Sequence, residues 1–423
     1  MRSSFAGESS QPPLGMPVVE IFMEQWMQPL TGVRVLAVEQ YGAGPFGTMY
    51  LANQGAEVIK IENPRDGGDM SRAVGPYFLG PDDSEFFHSF NANKRSITLD
   101  LQTPEGQAVF HDLVRGADAV SNNLRGDVPD KLGIDYASLK AVNPKIVCAH
   151  LTAYGRTGSR RTWPGFDYLM QAEAGWLSLT GEPGTPPARF GLSVVDMMTG
   201  LAMAFGLVSA VVAARASGTG RDMDVSLFDL ALHNTSYLST WYLNEDVVTE
   251  RLPRSAHPSL TPCQLYKTAD GWIFIMCNKE KFWPVLCKKL GRMDWIEDPK
   301  FLLFKNRLEH RDLIQEMLDD ALSARTTEAW LEVFAGSVPS SPIHDIGQAM
   351  NNPFVAERGG IQKFPNPANP GESFRMAAHP VRSSGAEPLN KPAPALGADT
   401  DDVLSDIGYD TARLAALRSK GVI

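Results

Sequence analysis

Along the chain, short apolar runs of strand length alternate with longer stretches of helical period. VRVLAVEQ at 33–40 is β-branched and apolar, and reads as a buried strand. PFGTMYLANQGA follows as a short helix with Gly55 as its stop. EVIKIE at 57–62 is the next strand, which completes a β-α-β unit. The pattern repeats as a helix over 104–115, the strand ADAVSNN, a helix over 136–142 and the strand KIVCAHLT. Strands alternating with helices predict a parallel, doubly wound sheet of the α/β class.

Beyond Gly200 the pattern changes. A long helical stretch runs to Ala216, then a turn, a short strand and another helix follow. CQLYKTADGWIFIMC reads as a hairpin turning at Ala269-Asp270-Gly271. Helices are expected over 279–290, 307–322 and 327–334. The segment 353–394 is rich in Pro, Gly and Asn with short strands, and DTARLAALRSKGVI is a closing amphipathic helix. These changes divide the chain into a tail (1–29), a large α/β domain (30–224), a small α+β domain (225–345) and a C-terminal return to the large domain (346–423).

Composition narrows the function. Over 423 residues, 43% hydrophobic and 21% charged, a sizeable core is expected and global disorder is not. A net charge of −10 argues against nucleic acid as a main partner, though it leaves room for a local site for a small phosphorylated ligand. Cys148, Cys263, Cys277 and Cys287 lack metal-ligand spacing and read as buried free thiols of a cytoplasmic protein, with no metal. The most apolar stretch, GLAMAFGLVSAVVAA at 200–214, falls short of the roughly twenty residues that span a bilayer and reads as a buried helix. No secretory leader is evident, and a short amphipathic stretch lies around Phe22 and Trp26.

Two motifs raise chemistry. Gly42, Gly44 and Gly47 spell GxGxxG between a strand and a helix, with Glu62 about twenty residues on. That spacing fits a dinucleotide site and hence a nicotinamide-dependent oxidoreductase. Pro45 and Phe46 crowd the place where a pyrophosphate would approach, so the glycines also read as a tight turn shaped for close packing. The second motif is LTGEPGTPPARFG at 179–191, a Pro/Gly-constrained loop whose one carboxylate is Glu182.

The series of motifs as a whole resembles CoA-transferase family III, the formyl-CoA:oxalate and carnitine CoA-transferase group related to α-methylacyl-CoA racemases. The resemblance is carried by LTGVRVLAVEQYGAGPFGTMYLANQGAEVIKIENPRDGGDMSR, FNANKRSITLDLQTPEGQAVFHDLVRGADAVSNNLRGDVPDKLGIDY, AHLTAYGRTGSRRTWPGFDYLMQAEAGWLSLTGEP, RFGLSVVDMMTGL, SGTGRDMDVSLFD and HPSLTPCQLYKTADGWI, in that order. It implies a large Rossmann-like domain, a smaller α+β domain, and two chains interlocked like links. It also implies coenzyme A or acyl-CoA as substrate, with a carboxylic acid as the other partner and a donor such as succinyl-CoA.

By position, Tyr41, Gly42 and Ala43 would line the thioester end. Asn63, Leu99, Gln102 and Lys131 would lie near the adenosine phosphates, with Arg65 or Arg72 supplying the positive charge that Asn63 lacks. Asn123 and Leu124 would contact the pantetheine and Tyr154 the acyl end. Trp176, Met197 and Met198 suggest an apolar acyl pocket.

The resemblance places a loop aspartate where this chain has Gly184. Four readings stay open: Glu182 substitutes as nucleophile; the chain pairs with a homologue that bears the aspartate; the chemistry is racemase-like; or the acceptor acid attacks directly. In the racemases a His precedes an Asp where this chain has Phe166 and Asp167; Asp167 remains available, and Asp196 is read as structural. His257, before a proline, is a further acid/base candidate with an ordinary pKa near neutrality.

Overall fold

The computed structural model describes residues 27–369 and 371–423. The stretch around Phe22 and Trp26 and most of the expected tail lie outside them. Six strands form one parallel sheet: β1 (Arg34–Val38), β2 (Glu57–Glu62), β3 (Arg95–Thr98), β4 (Ala119–Asn122), β5 (Val147–Thr152) and β6 (Arg221–Ser226). Their order is β3-β2-β1-β4-β5-β6, so the strand order reverses between β1 and β4 while all strands stay parallel. In doubly wound sheets, ligands bind outside the carboxyl ends of the strands at this switch point.

Successive residues of β1 face opposite ways. Val35 and Ala37 enter one core with α1 (Ala43–Asn53) and α4 (Val194–Ser217), through Leu51, Met203 and Leu207. Leu36 enters the other, with Phe110 and Leu113 of α2 (Pro104–Arg115). The C-terminal helices Thr400–Asp406 and Thr411–Ser419 close that second face with Leu404, Leu414 and Leu417. Strand β6, expected only as a short strand, is the sheet's last member, with Val225 paired to Leu151.

Helix α4 is the longest element. It begins at Val194, earlier than the apolar run suggested, because Val194, Val195, Met197 and Met198 continue the apolar sequence across Asp196. It is the one described helix long and apolar enough to cross a membrane by length and composition, and 44% of that window is buried inside the protein. Its contact with α1 is backbone to backbone. A Cβ on Gly47 would lie 2.3 Å from the Gly200 carbonyl oxygen, and one on Gly200 would lie 2.3 Å from that of Ala43. Glycine is required at both.

The expected hairpin is present as Cys263–Lys267 and Trp272–Met276, with Asp270 in its turn accepting the Thr327 amide at 2.8 Å. A third strand, Ser340–Pro342, pairs outside it; three residues with a proline carried no strand signal. The helix expected over 307–322 is two, Phe304–Glu309 and Arg311–Leu322, broken at His310 (φ −114°, ψ 29°). This unit has its own core of Tyr266, Ile273, Trp283, Leu318 and Phe334. All four cysteines are free and buried, as their spacing suggested.

Candidate active site

At the end of β1 the chain turns sharply into α1. Tyr41 takes a left-handed conformation (φ 68°), which is costly for a non-glycine residue and needs support. The support is a buried charge network. The Tyr41 amide donates to Asp69 at 3.0 Å, Asp69 pairs with Lys60 at 2.7 Å, and Lys60 donates to the Glu39 carbonyl at 2.9 Å. Arg72 grips Glu62 with two hydrogen bonds of 2.9 and 2.6 Å, and Lys94 pairs with Glu39 at 2.8 Å. Three acids and three bases neutralise one another out of water, the condition for tolerating them there. Burial pulls the Lys94 ammonium down to about 8, against the pull of Glu39.

Across the switch point, Asn123 ties β4 to β1. Its carbonyl oxygen accepts the Gln40 amide at 2.9 Å, and its NH₂ donates to the Gln40 carbonyl at 2.7 Å. Gln40 therefore sits on a fixed partition, and a cavity opens on each side of it. One, of about 290 Å³, is walled by Asn63, Leu99, Gln102 and Leu124. The other, of about 460 Å³, is walled by Tyr41, Gly42, Ala43, Asn123, Asp167 and Asp196. Eight of the ten residues expected at a CoA site thus fall around two adjoining cavities. Lys131 stands outside both, its ammonium 2.6 Å from Asp127. Tyr154 lies behind the second wall, donating to Glu173 at 2.8 Å. Arg72 is committed to Glu62 and buried, so it does not supply charge to a ligand; Arg65 is more exposed, with Nε 2.8 Å from Asp100.

The second cavity holds two carboxyls. Asp167 opens α3 (Asp167–Glu173). One of its oxygens accepts from Gln171 at 2.5 Å, the other from the Asp196 amide at 2.9 Å. Burial raises its pKa while those donors and the Val195 amide oppose the rise. Asp196, half-buried, has no side-chain donor to oppose burial and faces the Asp167 charge; both push it up to about 7. The donors on Asp167 favour its anion, whereas Asp196, without such donors, titrates near neutrality. The sequence suggested a structural role for Asp196. It instead lines the cavity, with Oδ2 3.1 Å from where a Cβ on Gly42 would stand.

Other candidates lie elsewhere. Glu182 is exposed, and both its oxygens accept from the Arg254 amide, at 2.8 and 3.1 Å. Gly184 is an exposed left-handed residue (φ 77°) with open space around it. His257 accepts from the Ser259 amide at 3.1 Å and lies 3.3 Å from the Tyr237 hydroxyl; burial, then Arg311, lower its pKa. Neither Glu182 nor His257 lines the cavity of Asp167. Nor do Trp176, Met197 or Met198: the apolar lining comes from Met70, Leu151, Phe166, Tyr168 and Leu227. The three glycines of the fingerprint each meet protein instead: Gly42 faces Asp196, Gly44 faces Asn123 and Gly47 faces Gly200.

These features define a doubly wound α/β protein with a two-part ligand cavity across the sheet's switch point and an aspartate pair at one end. The chain belongs to CoA-transferase family III, whose family model matches residues 30–400. It is 33% identical over 398 residues to a succinate–glutarate CoA-transferase of Agrobacterium fabrum, covering 90% of this chain and 96% of that one. It is 32% identical over 372 residues to an acetyl-CoA:oxalate CoA-transferase of Acetobacter aceti, covering 87% and 95%. Among solved structures, a CaiB/BaiF family protein from Brucella suis superposes with a TM-score of 0.76 at 29% identity, covering 90% and 99%.

Proposed function

We propose that this chain moves CoA from a donor acyl-CoA to a carboxylic acid, with Asp167 as the nucleophile. The observation that carries this is a buried carboxylate, held by N–H donors on both oxygens, in the cavity bounded by the Tyr41–Ala43 turn. An Asp167 oxygen attacks the thioester carbon and the C–S bond breaks, leaving CoA thiolate and a mixed anhydride. The thiolate then attacks the Asp167 carbonyl of that anhydride, which releases the donor acid and leaves an aspartyl thioester. The acceptor carboxylate repeats these steps in reverse order, and Asp167 is regenerated without net proton change. The first amides of α1, which have no intrahelical acceptor, serve the developing oxyanion.

In this reading the thioester occupies the larger cavity and the pantetheine and adenosine phosphates extend past Gln40 along Asn123, Leu124, Asn63 and Gln102, with Lys131 and Arg65 at the rim. In this reading the CoA-binding unit runs past the expected boundary at 224, since Arg221–Ser226 and Leu227–His233 belong to its sheet and core, and is completed by 346–423, while the segment with its own core around Tyr266 and Trp283 is the smaller unit. Succinyl-CoA is the proposed donor and a dicarboxylic acid the proposed acceptor, by analogy with the named relatives. Exposed Phe205, Leu243 and Val248 support an interlocked pair of chains, and four reduced cysteines accord with the cytoplasm.

The test is to incubate the protein with acyl-CoA, trap with hydroxylamine, and map the modified residue. Modification of Asp167 is expected. An adduct on Glu182, or none on a chain that turns over, overturns the assignment.

A further inference from the structure

A transferase of this kind must hold a free carboxylate beside its aspartyl thioester twice in each cycle, once as the donor acid leaves and once as the acceptor enters. A carboxylate taken out of water into an apolar cavity needs a hydrogen-bond donor or a counter-charge, and a cation would be the ordinary remedy. Among the described residues lining this cavity there is no Lys, Arg or His. The ionisable groups there are Asp167 and Tyr168 from α3, Tyr41 from the β1–α1 turn, and Asp196 from the first turn of α4. Arg189, in the loop before α4, is stacked 4.3 Å above the Tyr168 ring and has NH1 bound to the carbonyls of Phe190 and Gly191; it is not among the lining residues. Glu39, on the far side of the turn, is neutralised by Lys94. On α5 (Leu227–His233), Asp229 accepts from the Ser226 hydroxyl at 2.6 Å.

Asp196 differs from all of these. Its amide is spent on Asp167, which fixes the two residues side by side. Its carboxyl has no hydrogen-bond partner among the described residues and stands at the wall against Gly42, next to the turn proposed to receive the thioester. Resting on the assignment of Asp167, we propose that Asp196 is a second catalytic carboxyl, which donates its proton in a hydrogen bond to the free carboxylate of each half-reaction. An O–H···O⁻ bond is short and strong, and it binds an anion without adding a fixed positive charge that would compete for Asp167. The same group becomes repulsive once ionised. Burial and Asp167 bring its titration to about 7 in the free chain; in the thioester the Asp167 charge is gone, but burial and the bound carboxylate still raise it, so this arrangement predicts an alkaline fall in acceptor use.

The experiment compares wild type, Asp196→Asn and Asp196→Ala in kcat/KM for the acceptor acid from pH 5.5 to 9. Trapping of the Asp167 adduct from acyl-CoA alone runs in parallel. Asparagine keeps an N–H donor and cannot ionise, so the fall above about pH 7 should disappear, with a loss of about threefold below it. Alanine removes the donor, so KM for the acid should rise about tenfold or more, while adduct formation, which needs no free acid, slows less than turnover. A fall that persists at the same pH in Asp196→Asn, a wild-type profile flat to pH 9, or an unchanged acceptor KM in Asp196→Ala overturns the proposal and leaves the Asp167 reading intact. If the alanine chain fails to fold, the asparagine profile alone decides. An adduct elsewhere than Asp167 overturns the underlying assignment and this proposal with it.

Discussion

Asp167 and Glu182 lie fifteen residues apart, each in a glycine- and proline-bearing stretch, and differ in almost everything that governs reactivity. Asp167 is buried, with both oxygens oriented by donors and a second carboxyl beside it. Glu182 is in solvent, held by a single backbone amide from the segment of Arg254. A carboxylate gains nucleophilic power from losing water and being aimed; a solvated one keeps its hydration shell. The loop looks more like an active site in letters, and the helix start is more like one in environment.

The sharpest way to break this contrast is to neutralise each carboxylate. Asp167→Asn should lower turnover by about four orders of magnitude, as expected for loss of a nucleophile. Glu182→Gln should stay within about threefold in kcat/KM. Steady-state assays with succinyl-CoA and a dicarboxylic acid read both, and equal losses in the two variants would erase the distinction.

The next effect tests what holds the buried side in place. Lys60→Met leaves Asp69 buried without its cation, and breaking such a pair costs about 3–5 kcal/mol. Because Asp69 also anchors the Tyr41 amide, KM for acyl-CoA should rise along with the loss of stability. Denaturant unfolding together with CoA titration measures both. A stability loss under ~1 kcal/mol would show that the network does not support the turn.

A smaller effect concerns the glycines. Gly47→Ala places a methyl 2.3 Å from the Gly200 carbonyl oxygen, and overpacking of that kind costs about 1–3 kcal/mol. A drop in Tm is expected, with no NAD binding by calorimetry in either protein. A stable alanine variant would return the fingerprint to a ligand-binding role.

The parallel sheet was legible because buried strands such as Arg34–Val38 lie in apolar runs rich in valine and Gly55 supplies the positive φ (93°) after the helix. Elements without such patterning were not. Ser340–Pro342 joins the small sheet by tertiary pairing alone, and the start of α4 at Val194 has no side-chain cap to mark it. Within the site, the turn at Tyr41–Ala43 and the asparagine at 123 were found from motif position. Asp196 was not, because its importance comes from lacking a hydrogen-bond partner while facing Asp167, and neither fact is written locally. The apolar lining was sought in Trp176, Met197 and Met198, although Trp176 turns away to bond the Ala231 carbonyl at 3.0 Å. Helical spacing says which residues share a face, but not which face a cavity opens on.

The last test adds a carboxylate to the exposed side. Gly184→Asp restores the residue that the loop resemblance expects, in a left-handed position with open space around it. Aspartate tolerates that conformation better than most residues, so the cost should be about 1 kcal/mol or less. If environment governs, the new group stays hydrated, no adduct forms at 184, and kcat changes by less than about twofold. Trapping with hydroxylamine in the Gly184→Asp chain and in a Gly184→Asp, Asp167→Asn double variant separates the cases. Rescue of turnover by the loop aspartate when Asp167 is disabled would mean that the loop closes over the thioester during the reaction. The contrast between the two carboxylates would then be one of conformational state and not of fixed position.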